Sequence, residues 1–350
     1  MNYIITEFSK YIMVLAIFSY VIESIWPLFF KRGDNTVGVY IRQYIYMGLV
    51  HTLSMISLYI TTQNPKFLTL FLLQCVSIFA VNRLTILIYE RASRILLNHM
   101  CFLLIIGYVE LSRLNYDKAV RQFFIICVSL VIFLIIPYAI KKFQVIKNYT
   151  VLIGTIGALL LVLVFSLGET TYGSKLSYQI LGFSFQPSEF VKILFVFFVA
   201  GMLYNNCKFY KVGLTAVFAA LFVLLLVLSK DLGSALIYYL AFIAMIFVAS
   251  GRIWYSLAGL GVGSVAAYMG YNLFSHVQTR IAVWLDPWSD INATGYQLTQ
   301  SLFAIGTGGW MGMGLGKGQP TTIPLVEEDY MFSAICEEYG VLFGIGIILF

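Results

Sequence analysis

Seven charged side chains collect in the stretch 280–329 of a chain that is otherwise strongly apolar: Arg280, Asp286, Asp290, Lys317, Glu327, Glu328 and Asp329. Asp329 closes the stretch, directly ahead of an apolar segment. Two readings of it stand side by side. An aspartate there can cap the coming helix, accepting its first N–H groups at the positive end of the dipole. A carboxylate held at a membrane surface can also take a proton from a sugar hydroxyl as a general base. The readings are compatible, because a capped carboxylate is a positioned one. Glu337 and Glu338 follow about two turns further on. Carboxylates inside a membrane segment either bond neighbouring helices or belong to a site.

Other residues suggest supporting chemistry. Asp231, in SKDLGSA between two apolar segments, is either a helix cap with Lys230 snorkelling beside it or a substrate-orienting carboxylate. Glu189 and Lys192 in QPSEFVK share one helix face, with Pro187 marking the helix start. They can form a local ion pair, or Lys192 can face an anionic headgroup such as pyrophosphate. Arg280 can hold a phosphate through paired hydrogen bonds. Trp284 and Trp288 read as interfacial anchors or as a stacking face for a sugar. The run GTGGWMGMGLGKGQ is no P-loop, since Gly follows Lys317, and it is not GxGxxG. Its glycines predict a tightly turned, flexible loop whose backbone comes close to a ligand.

Composition says what must position these groups. The 350 residues are 60% hydrophobic and 11% charged, with a mean hydropathy of +0.88. Soluble domains carry roughly 25% charged residues. The apolar runs are long enough to cross a ~30 Å hydrocarbon core as helices, and the short alternating segments of a barrel are not visible. The expected fold is all-α, a polytopic transmembrane helical bundle of about 11 helices with one large extracellular loop. The segments lie near 8–30, 40–61, 67–89, 97–112, 120–140, 150–168, 188–205, 211–229, 232–250, 253–275 and 330 to the end. The loop spans about 277–329, and residues 1–95 form an extra module of three helices that could be an appendage to 96–350.

Lys31/Arg32, Arg91/Arg94, Lys141/Lys142/Lys147, Lys208/Lys211 and Arg252 fall on one side if the helices alternate, which makes that side cytoplasmic. Arg113, Lys118 and Arg121 oppose this rule and are outvoted. The N-terminus and the polar loop then face outward, where a substrate must arrive already activated.

The net charge of +6 is scattered over the connections, so it does not indicate nucleic acid. The five cysteines and three histidines show no ligand spacing, so no metal site is expected. The N-terminal apolar run is too long for a signal-peptide core and reads as a membrane helix.

In order along the chain, QPSEFVK, KDLGSA, the span from DPW through GYQLTQSLFAIGTGG, and DYMFSAICEEYG resemble the SEDS family of bacterial shape, elongation, division and sporulation proteins (FtsW, RodA and SpoVE). The resemblance covers about residues 97–350. Asp329 matches the aspartate of the family's TDF motif, its proposed catalytic carboxylate. Asp231 matches the aspartate of PDLG, and Glu189 and Lys192 match QPSE-x-x-K. Gln297, Gln300 and Ser301 match GYQ-x-x-QS, and Glu337 and Glu338 match the paired glutamates that follow. The chain departs from the pattern at Leu325, at Glu328 in place of threonine, at Lys230 in place of proline, and at Leu176–Ser177 in place of Arg-Trp. The family's closing helices would follow Phe350, so the resemblance implies a C-terminally incomplete core.

The resemblance implies a peptidoglycan glycosyltransferase of the bacterial cell membrane that polymerises glycan strands from lipid II and releases undecaprenyl pyrophosphate. It implies a class B penicillin-binding protein as transpeptidase partner, surrounding membrane lipids and no nucleic acid. Asp329 would be the catalytic base. Lys192, Arg280 or a divalent cation (Mg or Mn) would meet the leaving pyrophosphate. The rival readings are a lipid II transporter, which would carry discontinuous helices near the midplane, and a non-catalytic scaffold of the wall-synthesis machinery.

Overall fold

The computed structural model describes residues 2–29, 36–142, 149–167, 169–171, 174–180, 183–204 and 208–350. Lys31, Arg32, Lys147 and Cys207 lie outside the described residues, and the strands around Leu176 and Ser177 are described by backbone alone. The chain is a helical membrane protein. Seven described helices are long and apolar enough to cross a membrane: Thr6–Pro27, Val37–Thr62, Lys66–Ile88, Arg94–Leu114, Tyr116–Ile140, Phe209–Leu228 and Leu232–Ser250. In hydrocarbon a backbone must satisfy its own hydrogen bonds, and a helix does so within one segment.

Among the described residues there are fourteen α-helices, more than the sequence predicts. They are α1 Asn2–Phe29, α2 Thr36–Thr62, α3 Lys66–Ile88, α4 Arg94–Leu114, α5 Tyr116–Lys142, α6 Thr150–Leu167 and α7 Pro187–Leu203. Then follow α8 Phe209–Leu228, α9 Leu232–Ser250, α10 Ile253–Leu273, α11 Ser275–Leu285, α12 Tyr296–Gly308, α13 Met331–Tyr339 and α14 Val341–Leu349. Two of the unpredicted helices, α11 and α12, lie within the expected loop. Another arises because the last apolar segment breaks at Gly340, where φ is +92°, leaving two helices of 9 residues each. The segment between α6 and α7 also departs from expectation. It holds an antiparallel sheet, β1 Glu169–Thr171, β2 Ser174–Ile180 and β3 Phe183–Phe185, in the order β1-β2-β3.

The helices form two compact units, Met1–Tyr138 with Thr279–Phe350, and Ala139–Gln278. The core of the first unit joins Tyr20 of α1, Met47 and Met55 of α2, Phe102 and Tyr108 of α4, Tyr339 of α13 and Phe343 of α14. Amide side chains stitch its helices together, as expected where apolar surface alone drives no association. Asn98 donates to Gln43 at 2.7 Å, Asn82 to Asn98 at 3.1 Å, and Gln74 to Ser112 at 3.2 Å. His51 lies 2.9 Å from Gln74, so it is a structural histidine. The three leading helices therefore share one core with α4 and the chain's end.

The second unit is centred on Phe195 of α7, Phe222 of α8 and Tyr238 of α9. The Phe195 ring lies 5.3 Å from that of Phe222 and 4.9 Å from that of Tyr238.

Candidate active site

Five acids lie between Glu327 and Glu338, and the structure gives them different surroundings. Glu327 and Glu328 both accept from Lys118 Nζ, at 2.7 and 3.2 Å. That hydrogen bond holds the Glu327 carboxyl below its ordinary range, with its own backbone N–H helping. Glu338 is buried and accepts from Arg113 Nε at 3.0 Å. Arg113 also donates to the carbonyl of Gly318 at 3.1 Å. Glu337 Oε1 accepts from the backbone N–H of Gln319 at 2.9 Å. Among the described residues, the second oxygen of Glu337 has no hydrogen-bond partner. These two glutamates thus tie α13 to the glycine-rich stretch.

Asp329 is different: it is exposed, and no hydrogen bond or ion pair to its carboxylate occurs among the described residues. It is also not the helix cap. Tyr330 occupies the N-cap of α13, and no side chain caps that helix. A one-turn fold places Asp329 instead. Its N–H and that of Glu328 both donate to the carbonyl of Leu325, at 3.1 and 3.0 Å, and Leu325 has a φ of +55°. The turn is held from below by Ile323 and Val326, which pack with Ala304 of α12 and Ala334 of α13. Gln297 Nε2 donates to the carbonyl of Pro324 at 2.8 Å, and the hydroxyls of Ser301 and Ser333 lie 2.7 Å apart. Gln297 and Ser301 therefore position the Asp329 turn. Gln300 is half-buried on α12, and Arg280 is exposed on α11.

The glycine run is held by backbone hydrogen bonds to α13 and α14. Met313 and Gly314 donate their N–H groups to the carbonyls of Glu337 and Glu338, both at 2.9 Å, and Val341 and Leu342 donate back to Gly309 and Trp310 at 2.9 and 3.2 Å. The close backbone approach that the glycines permit is to the break between α13 and α14. At Gly312, with φ +76°, a Cβ would meet the backbone of Glu338 and Tyr339. No alanine fits there without movement.

The second unit carries the other expected residues. Lys192 Nζ lies 2.9 Å from both oxygens of Glu189, the local ion pair. Asp231 is the N-cap of α9, and its Oδ1 accepts from the N–H of Ser234 at 3.0 Å. Its Oδ2 lies 3.5 Å from Gln186 Nε2. Gln186 also donates to Ser188 Oγ at 3.0 Å, and Tyr238 donates to the carbonyl of Ser188 at 2.7 Å. The QPSE and KDLG stretches, 45 residues apart, thus meet at the starts of α7 and α9.

Sequence reasoning missed Arg113 and Lys118 as site residues. Only Asn115 separates α4 from α5, so both cations sit on helix ends. Arg113 pairs with Glu338, and Lys118 with Glu327 and Glu328. Two signals were available: cations on the disfavoured side, and acids predicted for that same side. No three His, Cys, Asp or Glu side chains among the described residues are grouped to hold a metal ion.

The comparisons with known proteins bear on this arrangement. The sequence model of the FtsW/RodA/SpoVE family, described as cell cycle protein, matches residues 95–350. This chain belongs to that family. The peptidoglycan glycosyltransferase RodA of Mycobacterium bovis is 32% identical over 260 residues, covering 69% of this chain and 55% of the relative. The probable peptidoglycan glycosyltransferase FtsW of Geobacter sulfurreducens is 36% identical over 208 residues, covering 57% of this chain and 55% of the relative. The chain thus spans about half the length of the curated relatives it matches. A solved structure described as "Structural coordination of polymerization and crosslinking by a peptidoglycan synthase complex" aligns with a TM-score of 0.51 at 20% identity, covering 74% of this chain and 83% of that one. At that identity the likeness is one of fold.

Proposed function

We propose that the protein is a glycan-strand polymerase that transfers disaccharide-peptide units from lipid II at the outer face of the cell membrane. One observation carries the assignment of the reactive group. In a segment whose other acids are bound to Lys118, Arg113 or backbone N–H groups, Asp329 presents an exposed carboxylate, unpaired among the described residues, on a turn fixed by α12 and α13. Names of the relatives supply the reaction class, and the matched motif supplies the position.

In this reading Asp329 takes the proton from the C4 hydroxyl of the acceptor's GlcNAc. The freed oxygen attacks the anomeric carbon of the donor, the bond from that carbon to pyrophosphate breaks, and undecaprenyl pyrophosphate leaves. In this reading Arg280, exposed on α11, meets the leaving anion. A lipid-borne donor suits a site carried on membrane helices. The transpeptidase partner would be a class B penicillin-binding protein.

Outward orientation has physical support inside the first unit. Lys118 meets Glu327 and Glu328, and Lys317 meets Glu7. The N-terminus, the α4–α5 connection and the polar segment therefore lie at one end of that unit, the grouping that helix alternation assigns to the outer side.

The test is lipid II polymerisation by purified protein with a partner transpeptidase that has no polymerase activity of its own. Asp329→Asn should lower the rate by about 10²–10⁴-fold, the usual contribution of a general base. Stability should change by less than about 0.5 kcal/mol, as for an exposed side chain without partners. Undiminished polymerisation by the Asn variant would remove Asp329 from the chemistry.

A further inference from the structure

The first two helices precede the family match, which begins at residue 95, yet they reach the glycine-rich stretch leading to Asp329. Glu7 of α1 bridges two lysines: Lys10 Nζ lies 2.8 Å from Oε2, and Lys317 Nζ lies 2.5 Å from Oε1. Lys10 also donates to the carbonyl of Gly312 at 3.3 Å. These three side chains are each less than a third exposed, so water screens them only in part. The same helices touch the neighbouring backbone. Thr61 of α2 packs 3.2 Å from where a Cβ on Gly316 would stand, and Ile17 of α1 packs 2.9 Å from the equivalent point on Gly346. Tyr339 of α13 donates to Ser54 of α2 at 3.0 Å.

The glycine-rich stretch is therefore gripped from two directions. Arg113, Glu337 and Glu338 hold it at Gly318 and Gln319. The Lys10–Glu7–Lys317 bridge holds it at Gly312 and Lys317. With φ angles of +76°, +99° and +82° at Gly312, Gly314 and Gly316, the backbone there has little conformational preference of its own. Such a segment takes its shape from what grips it. The same backbone runs on through Pro324, where Gln297 holds it, to the Asp329 turn.

We propose that Glu7 is a positioning residue for the reactive carboxylate: by bridging Lys10 and Lys317, it sets the glycine-rich stretch and, through it, the turn that carries Asp329. The leading helices then form part of the working unit, although the family match does not include them. The proposal rests on the glycosyl-transfer reading for its kinetic arm only.

The test compares wild type, Glu7→Gln, Lys317→Met and the charge swap Glu7→Lys/Lys317→Glu in the full chain. In the swap, an acid at 317 faces lysines at 7 and 10, so the bridge re-forms with its charges exchanged. Two readouts are taken: backbone hydrogen exchange of residues 309–319, and steady-state polymerisation of lipid II. Both single variants should speed exchange in that stretch and lower kcat by about 3- to 10-fold, equivalent to an order of RT to twice RT in the barrier. KM should stay within about two-fold, since uniform binding is untouched. The swap should return both readouts to within about two-fold of wild type.

Unchanged exchange in the single variants would overturn the proposal, and so would faster exchange without a kcat effect. A kcat loss that the swap fails to restore would overturn it too, because the loss would then not come from the bridge. If wild type polymerises nothing, the glycosyl-transfer reading fails, while hydrogen exchange still decides whether the bridge sets the loop.

Discussion

Arg113 Nε lies 3.0 Å from Glu338 Oε1, and the carboxylate it meets is fully withdrawn from solvent. A buried ion pair is weak evidence of stability in itself, yet removing one partner leaves the other charged and unpaired. Arg113→Gln should therefore destabilise the protein by about 3–5 kcal/mol. The apolar double variant Arg113→Met/Glu338→Met should recover a large part of that loss. Thermal unfolding in detergent checks both. An Arg113→Gln protein that unfolds with wild type would show that the pair contributes nothing.

Gln297 makes a different kind of contact, because its acceptor, the carbonyl of Pro324, belongs to an exposed residue. Losing that bond leaves a carbonyl that water can satisfy, so stability should fall by no more than about 1 kcal/mol. The Asp329 turn, however, loses its tether to α12. Gln297→Ala should reduce kcat by about 5-fold with little change in KM. A proportionate rise in KM with kcat intact would assign Gln297 to substrate binding instead.

Much of the helical frame was legible. The segment expected at 232–250 is α9, Leu232–Ser250, and those at 67–89 and 211–229 agree closely with α3 and α8. Long apolar runs with polar or glycine ends leave little ambiguity. The break at Gly340 was hidden because apolar residues continue on both sides of it. Helix α12 was hidden for the opposite reason: Gln297, Thr299, Gln300 and Ser301 give it a loop-like composition, although Thr299 and Ser301 are buried. Motif residues were found, but not their partners. Nothing local in the sequence pairs Arg113 with Glu338, 225 positions away, or Glu7 with Lys317, 310 positions away.

Glu327 offers a pH signature. Its carboxyl is held below the ordinary value by the hydrogen bond from Lys118. A group whose folded value is depressed contributes stability above its unfolded value, and that contribution fades as pH falls through the folded one. Wild type should exceed Glu327→Gln in unfolding temperature at pH 7, and the gap should close below about pH 4, near the unfolded carboxylate value. The gap at pH 7 should be small, since partly exposed pairs are worth about 0–1 kcal/mol. A gap that widens on acidification would mean that the bond to Lys118 does not govern this carboxyl.

Asp231 tests how far a matched motif implies chemistry. Its Oδ1 accepts the N–H of Ser234 at the head of α9, a task that asparagine performs about as well and alanine cannot. If capping is its contribution, Asp231→Asn should keep both unfolding temperature and polymerisation near wild type. Asp231→Ala should then lose about 1 kcal/mol of stability, with activity falling only as the folded fraction falls. If its negative charge instead orients a substrate or holds Gln186, which lies 3.5 Å from Oδ2, Asn should fail as badly as Ala while unfolding at the wild-type temperature. The two variants thus separate the oxygen's role from the charge's, because only the second needs an ionised group at position 231.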